Sequence, residues 1–284
     1  MSTVPALFRH LVDDAAMFPP GDLPLVQAVA AHRAHRTAPY ADLVGPFVCT
    51  DEDLMAVAKE ASSTGDRPLE VTVVITGGAG GIEPAVRYGD RSPDLTVTAV
   101  EVRLRAEEDL SRNALRVVRA CDDCMDEENA FIEIGLAGAW ERALDVVADA
   151  GYAAKLRTGG LDSYLFPDAG QVATFITACL DREVAFKCTA GLHNAVRHTA
   201  ADSGFEHHGF LNVLLATRAS LDGASQVEMT AVLENRERAT LTEQARALTV
   251  EQAAGTRRWF TSFGSCSVDE PRHDLIALDL LEDA

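Results

Sequence analysis

Residues Tyr152-Ala153-Ala154-Lys155-Leu156-Arg157-Thr158-Gly159-Gly160 decide how this chain folds. An apolar run carries a polar residue at every second position and closes in a double-glycine turn. Side chains alternate faces along a strand, so Lys155 and Arg157 share one face while Leu156 points to the other. A helical pattern over 169–180 follows directly. Strand, turn and helix together make one β-α unit.

Working outward, the unit recurs. Apolar or β-branched runs stand at 44–50, 70–76, 96–104, 130–136, 152–158, 184–189, 208–213 and 259–265. Amphipathic stretches at 52–62, 107–121, 139–150, 169–180, 212–254 (in two parts) and 271–281 alternate with them. Eight strands separated by helices within 284 residues predict an α/β fold, a (β/α)8 TIM-type barrel. The weakest unit is 77–90, which is glycine-rich and offers only a short helix at 83–88. Residues 1–43 hold Phe18-Pro19-Pro20-Gly21, whose prolines exclude a central strand, and a helix at 23–36. They are expected to form an N-terminal helical and loop extension packed on a barrel of residues 44–284, the whole being a single domain.

The chain is 47% hydrophobic and 24% charged, enough apolar material for a large core. Lys+Arg 25 against Asp+Glu 44 gives a net charge of −19, so the surface field repels nucleic acid and anionic membranes. A small molecule is the expected partner, with a local basic pocket for one anion, and barrels of this size commonly associate as homo-oligomers. Six scattered cysteines and no N-terminal apolar segment ahead of a cleavage site predict a reducing, cytoplasmic setting. Cys121-Asp-Asp-Cys124 has C-x-x-C spacing without a second pair and reads as a helix end rather than a zinc site. No run approaches the roughly 20 apolar residues of a membrane span.

The chemistry lies on the strands. In Val100-Glu101-Val102-Arg103-Leu104 the two charges share a face, Glu133 stands opposite Ile132 and Ile134, and Lys187 pairs with Thr189. Barrel strands turn their apolar face to the helices, so Glu101, Arg103, Glu133, Lys155, Arg157 and Lys187 are expected to converge in the lumen or at its C-terminal mouth. A structural lumen network of ion pairs is the alternative, because buried charges cost several kcal/mol each unless paired. Beyond the strands, His193 follows the Lys187 strand, while His208 and Asn212 belong to His208-Gly-Phe-Leu-Asn212. Ser262 and Ser265 lie in Ser262-Phe-Gly-Ser-Cys-Ser267, a turn suited to an anion. The run 77–81 could cradle an anion as well, but it does not form a dinucleotide fingerprint, and no P-loop, G-x-S-x-G elbow or H-E-x-x-H motif occurs.

Lys187-Cys188-Thr189-Ala190-Gly191 and Lys155-Leu156-Arg157-Thr158-Gly159-Gly160 resemble the lysine strands of class I, Schiff-base aldolases of the deoxyribose-phosphate aldolase type, with the order of the two segments exchanged. Segments 18–21, 155–160, 208–212 and 262–267 together resemble an uncharacterised bacterial protein family, a resemblance that implies no activity. The aldolase resemblance implies a lyase acting on a small oxygenated carbonyl substrate bearing a carboxylate or phosphate, without a cofactor. In that reading Lys187 forms the Schiff base and Lys155 lowers its pKa by like-charge proximity. Glu133 or His193 moves protons, and Arg157, Thr158, Thr189, Glu101, Arg103, His208, Asn212, Ser262 and Ser265 bind substrate. A second reading gives the barrel a divalent metal held by His193, His207 or His208 with Glu101 or Glu133. A third is a non-catalytic barrel that binds a small anion.

Overall fold

The computed structural model describes residues 4–64, 67–105, 109–126, 128–201 and 203–283. Eight parallel strands close into a barrel: β1 (Val12–Asp14), β2 (Val44–Thr50), β3 (Leu69–Ile75), β4 (Leu95–Arg103), β5 (Asn129–Glu133), β6 (Ala153–Arg157), β7 (Phe186–Thr189) and, after a small hairpin, β10 (Phe260–Ser265). The hairpin strands β8 (His198–Thr199) and β9 (Glu206–His207) pair antiparallel outside the barrel. The expected α/β barrel is the fold observed.

Two segments exchange roles relative to expectation. The region 208–213 is not a strand but opens helix α7 (Phe210–Leu221), in which every residue from Phe210 to Thr217 is buried. A continuous apolar run looks alike in a buried strand and a buried helix, so its pattern could not separate the two. The missing strand is β1, inside the segment expected to be an extension, and it pairs with both β10 and β2. Arg257 fixes the chain just ahead of it by donating to the carbonyls of Leu7 (3.1 Å), Arg9 (2.9 Å) and Phe260 (3.0 Å).

The other helices are α1 (Leu25–His35), α2 (Leu54–Thr64), α3 (Ala79–Arg91), α4 (Leu110–Asp122), α5 (Trp140–Asp149), α6 (Ala169–Asp181), α8 (Gln226–Glu234), α9 (Arg238–Ala247), α10 (Val250–Trp259) and α11 (Asp269–Ala277). The glycine-rich segment forms a full helix, α3, longer than the 83–88 expected. Of the helix expected at 107–121, residues 107 and 108 lie outside the described residues. The 212–254 region splits into parts of four helices because its sequence carries its own start signals: Ser225 with Glu228, and Thr249 with Gln252, form reciprocal capping boxes.

Outward strand faces pack on these helices as apolar periodicity dictates. Trp140 and Phe175 stack at 5.9 Å, Phe175 meets Phe186 at 5.6 Å, and Phe186 stacks on Phe260 at 5.3 Å, joining two helices to β7 and β10. The inward faces carry the charges. Cys121 is buried at the end of α4 and Cys124 donates its thiol to Ala120 O at 3.1 Å, as a helix end does. Among the described residues no helix is long and apolar enough to cross a membrane.

Candidate active site in the barrel lumen

Strand register places the charges. Lys155 on β6 stands beside Glu133 on β5 and Lys187 on β7, and Arg103 on β4 stands beside Glu133. With side chains alternating, all of these enter the lumen together with Glu101. Lys155 Nζ reaches Glu101 Oε2 at 2.6 Å and Glu133 Oε2 at 3.0 Å. Lys187 Nζ takes the other Glu101 oxygen, Oε1, at 2.5 Å and also bonds Asp13 Oδ2. Ser262 Oγ donates to the same Asp13 oxygen at 2.8 Å. At the mouth, Arg157 Nε holds Glu133 Oε1 at 3.0 Å and Arg103 Nε approaches it at 3.5 Å.

The network therefore has depth. Lys187 is 1% exposed and lies 5.0 Å from the centre of the Phe131 ring, whereas the Arg157 and Arg103 side chains are 32% and 65% exposed. Lys155 sits between these levels, sharing Glu101 with Lys187 and Glu133 with the arginines. Asp13 is accommodated by Gly45: a Cβ there would lie 2.2 Å from Asp13 Oδ1.

Burial by itself would lower the Lys187 ammonium, but Asp13 and Glu101 outweigh it and hold Lys187 above the ordinary lysine value. This corrects the expectation that Lys155 depresses it, because two carboxylates in contact dominate one neighbouring cation. Burial would raise Glu101, yet the two lysines bring it down to about 2. Glu133 is likewise lowered, burial being outweighed by Lys155 and Arg157. Asp13 goes the other way: burial outweighs Lys187 and Ser262 and holds its carboxyl above the ordinary aspartate value.

The remaining residues read from sequence fall into three places. Thr158 is fully buried and its hydroxyl donates to the carbonyls of Thr189 (3.2 Å) and Ala190 (2.5 Å), tying the ends of β6 and β7; Thr189 itself is half-buried. His208 and Asn212 are fully buried outside the lumen network. His208 Nε2 donates to Pro167 O at 2.7 Å while Nδ1 accepts from Arg197 at 3.1 Å, and burial lowers its pKa to about 4. Asn212 donates to Val232 O and Asn235 O, both at 2.8 Å, and accepts from Arg197 N at 2.9 Å. Both hold loops in place. His193 and Ser265 lie at the ends of β7 and β10, with Ser265 Oγ 3.5 Å from His193 Nδ1 and donating to Ser267 O at 2.7 Å.

His193 Nδ1 is bound to Glu270 Oε2 at 2.8 Å. Among the described residues no group of three or more His, Cys, Asp or Glu side chains is disposed to hold a metal ion.

Asp13 was not anticipated. Its signal was present in Leu11-Val12-Asp13-Asp14-Ala15-Ala16, an acidic pair inside an apolar stretch, with both carboxylates buried: Asp13 faces the lumen and Asp14 accepts from His32 of α1 at 3.0 Å. The chain has only three lysines, against 22 arginines, and two of the three are Lys155 and Lys187. No protein-family model matches this chain, and no curated protein matches it. The aldolase resemblance therefore rests on the two lysine segments alone.

Proposed function

We propose that the protein is a lyase of the amine-nucleophile kind, acting in the barrel lumen on a small carbonyl compound that carries a carboxylate or phosphate. The observation that carries this reading is the use of lysine. A guanidinium is effectively always protonated and does not serve as an amine nucleophile, whereas a lysine does once it loses a proton. In a chain whose cations are otherwise almost all arginine, two of three lysines lie side by side in the lumen and share Glu101.

Within that reading the roles of the two lysines exchange. Each lysine touches two carboxylates, but Lys187 is the deeper of the two and is held above the ordinary lysine value, so it remains an ammonium. Lys155 lies nearer the mouth and is the amine. It passes a proton to Glu133, attacks the carbonyl carbon and forms a carbinolamine, which loses water with the proton returned by Glu133. The iminium then draws the Cα–Cβ electron pair into an enamine as the β-hydroxyl gives its proton to Glu133 and its carbon departs as an aldehyde. Glu133 returns that proton to Cα, and water hydrolyses the imine to free the second product and the amine. Arg103 and Arg157, which meet Glu133 at the mouth, are the cations this reading assigns to the anionic group, through charge-assisted hydrogen bonds.

The experiment is borohydride trapping with acetaldehyde, pyruvate and glyceraldehyde 3-phosphate as probes, followed by peptide mass mapping. A reduced adduct on the peptide carrying Lys155 is the expected result. Adducts on none of the lysines, or on exposed Lys59 alone, would overturn the proposal and leave the lumen as a structural ion-pair network.

A further inference from the structure

The loops that follow β7 and β10 bring together three groups that the lumen does not use. His193 Nδ1 donates to Glu270 Oε2 at 2.8 Å, and Cys266 Sγ lies 3.9 Å from both Nδ1 and Nε2 of the same imidazole. His193 comes from the β7 loop, Cys266 from the end of β10, and Glu270 from the first turn of α11. β7 and β10 are hydrogen-bonded neighbours in the barrel, so the three converge at one point on its rim.

Each member is positioned by something else. Ser267 Oγ accepts the Glu270 backbone N–H at 3.2 Å, which fixes the start of α11. Gly21, in the loop after β1, packs against the base of the cysteine side chain: a Cβ on Gly21 would lie 3.0 Å from Cys266 Cβ. The His193 side chain is 19% exposed and that of Glu270 57%, while Cys266 is half-buried, so the cluster is open to small molecules. Of the other cysteines, Cys49, Cys121, Cys179 and Cys188 are buried, and Cys124 is half-buried with its thiol on Ala120 O.

We propose that Cys266, His193 and Glu270 form a second nucleophilic site on the barrel rim, which adds its thiol reversibly to small aldehydes. A carboxylate bound to Nδ1–H orients the ring and leaves Nε2 as the base, the arrangement that activates a neutral nucleophile. The thiol is neutral at rest, since burial raises the Cys266 pKa, so the imidazole must remove its proton as the bond forms. Addition to an aldehyde asks only for that. The sulfur electron pair forms the S–C bond, the carbonyl π pair moves to oxygen, and the proton travels from Sγ through Nε2 to that oxygen. The product is a hemithioacetal, with no oxidant, reductant or leaving group involved. This site is independent of the lumen lysines and stands whether or not they form imines.

The test is the alkylation rate of the intact protein by iodoacetamide as a function of pH, resolved by peptide mass mapping, with Cys124 as the internal reference. Cys266 is expected to react at least about tenfold faster than Cys124 near neutral pH, and His193→Gln to remove most of that advantage. Glu270→Gln should lower the rate as well, by freeing the ring. Glyceraldehyde, used as the probe aldehyde, should protect Cys266 and leave Cys124 unprotected. A Cys266 rate equal to that of Cys124, or one unchanged in His193→Gln, would overturn the site. Fast alkylation without protection by glyceraldehyde would overturn the aldehyde assignment.

Discussion

Asp13 and Lys187, separated by 174 positions in the chain, meet as a buried ion pair inside the barrel. The contact joins the first barrel strand to the seventh by way of β10, whose Ser262 bonds the same carboxylate oxygen. Asp13→Asn leaves Lys187 with Glu101 alone, and Lys187→Met leaves Asp13 without its cation; breaking a buried pair of this kind costs up to about 3–5 kcal/mol. Asp13→Asn and Lys187→Met should each lower the unfolding free energy, read from urea denaturation, by an amount of that order, and the double variant should lose less than the two losses combined, by about 0.5–3 kcal/mol. Strictly additive losses would show that the pair is not coupled.

Gly45 exists to admit Asp13. A Cβ at position 45 would lie 2.2 Å from Asp13 Oδ1, inside any allowed contact, so Gly45→Ala must displace the carboxylate from Lys187. Overpacking of this kind costs about 1–3 kcal/mol. In an Asp13→Ala background the obstruction is gone, and the added cost of Gly45→Ala should largely vanish. Equal cost in both backgrounds, read from denaturant midpoints, would place the clash elsewhere.

What the sequence made legible, and what it hid, follows from how each segment is buried. Glu101, Glu133, Lys155, Arg157 and Lys187 were readable because each interrupts an apolar strand at a two-residue period, and the lumen does gather them. β1 was hidden because it is three residues long and polar on both faces, Asp13 inward to Lys187 and Asp14 outward to His32, so no apolar face marked it. His208 and Asn212 misled for the opposite reason. Their polar side chains bond backbone carbonyls and Arg197, and a sequence does not distinguish a polar residue aimed at a ligand from one aimed at its own loops. The exchange of roles between Lys155 and Lys187 depended on Asp13, and therefore on finding β1.

Acid should weaken the fold in two steps. The buried His208 is held neutral, its pKa lowered from 6.5 to about 4, so the unfolded chain binds a proton that the folded one refuses. Its contribution is fully present above pH 6.5 and is lost as the pH falls toward 4. Glu101 is lowered from 4.5 to about 2, so its contribution is full above pH 4.5 and is lost as the pH falls toward 2. The urea midpoint should therefore decline on acidification already between pH 6.5 and 4.5, where Glu101 is still ionised in both states. His208→Asn should flatten that upper interval and leave the lower one. Because buried Asp13 is raised and contributes with the opposite sign, the test is the comparison: a pH dependence in His208→Asn identical to that of the wild type between pH 6.5 and 4.5 would remove the histidine as the cause.

Lys155→Arg separates charge from amine at the proposed nucleophile. The guanidinium keeps a positive charge between Glu101 and Glu133, so the alternating network survives, but it offers no nitrogen able to form an imine. The variant should unfold at a urea midpoint near that of the wild type and give no borohydride-trapped adduct with any of the three carbonyl probes. Lys59→Arg, which changes the exposed lysine of α2, should trap as the wild type does. If Lys155→Arg folds and still yields an adduct in the lumen, the adduct can form only on Lys187. The deeper lysine would then be the amine, with Asp13 rather than Glu133 as the group that takes its proton.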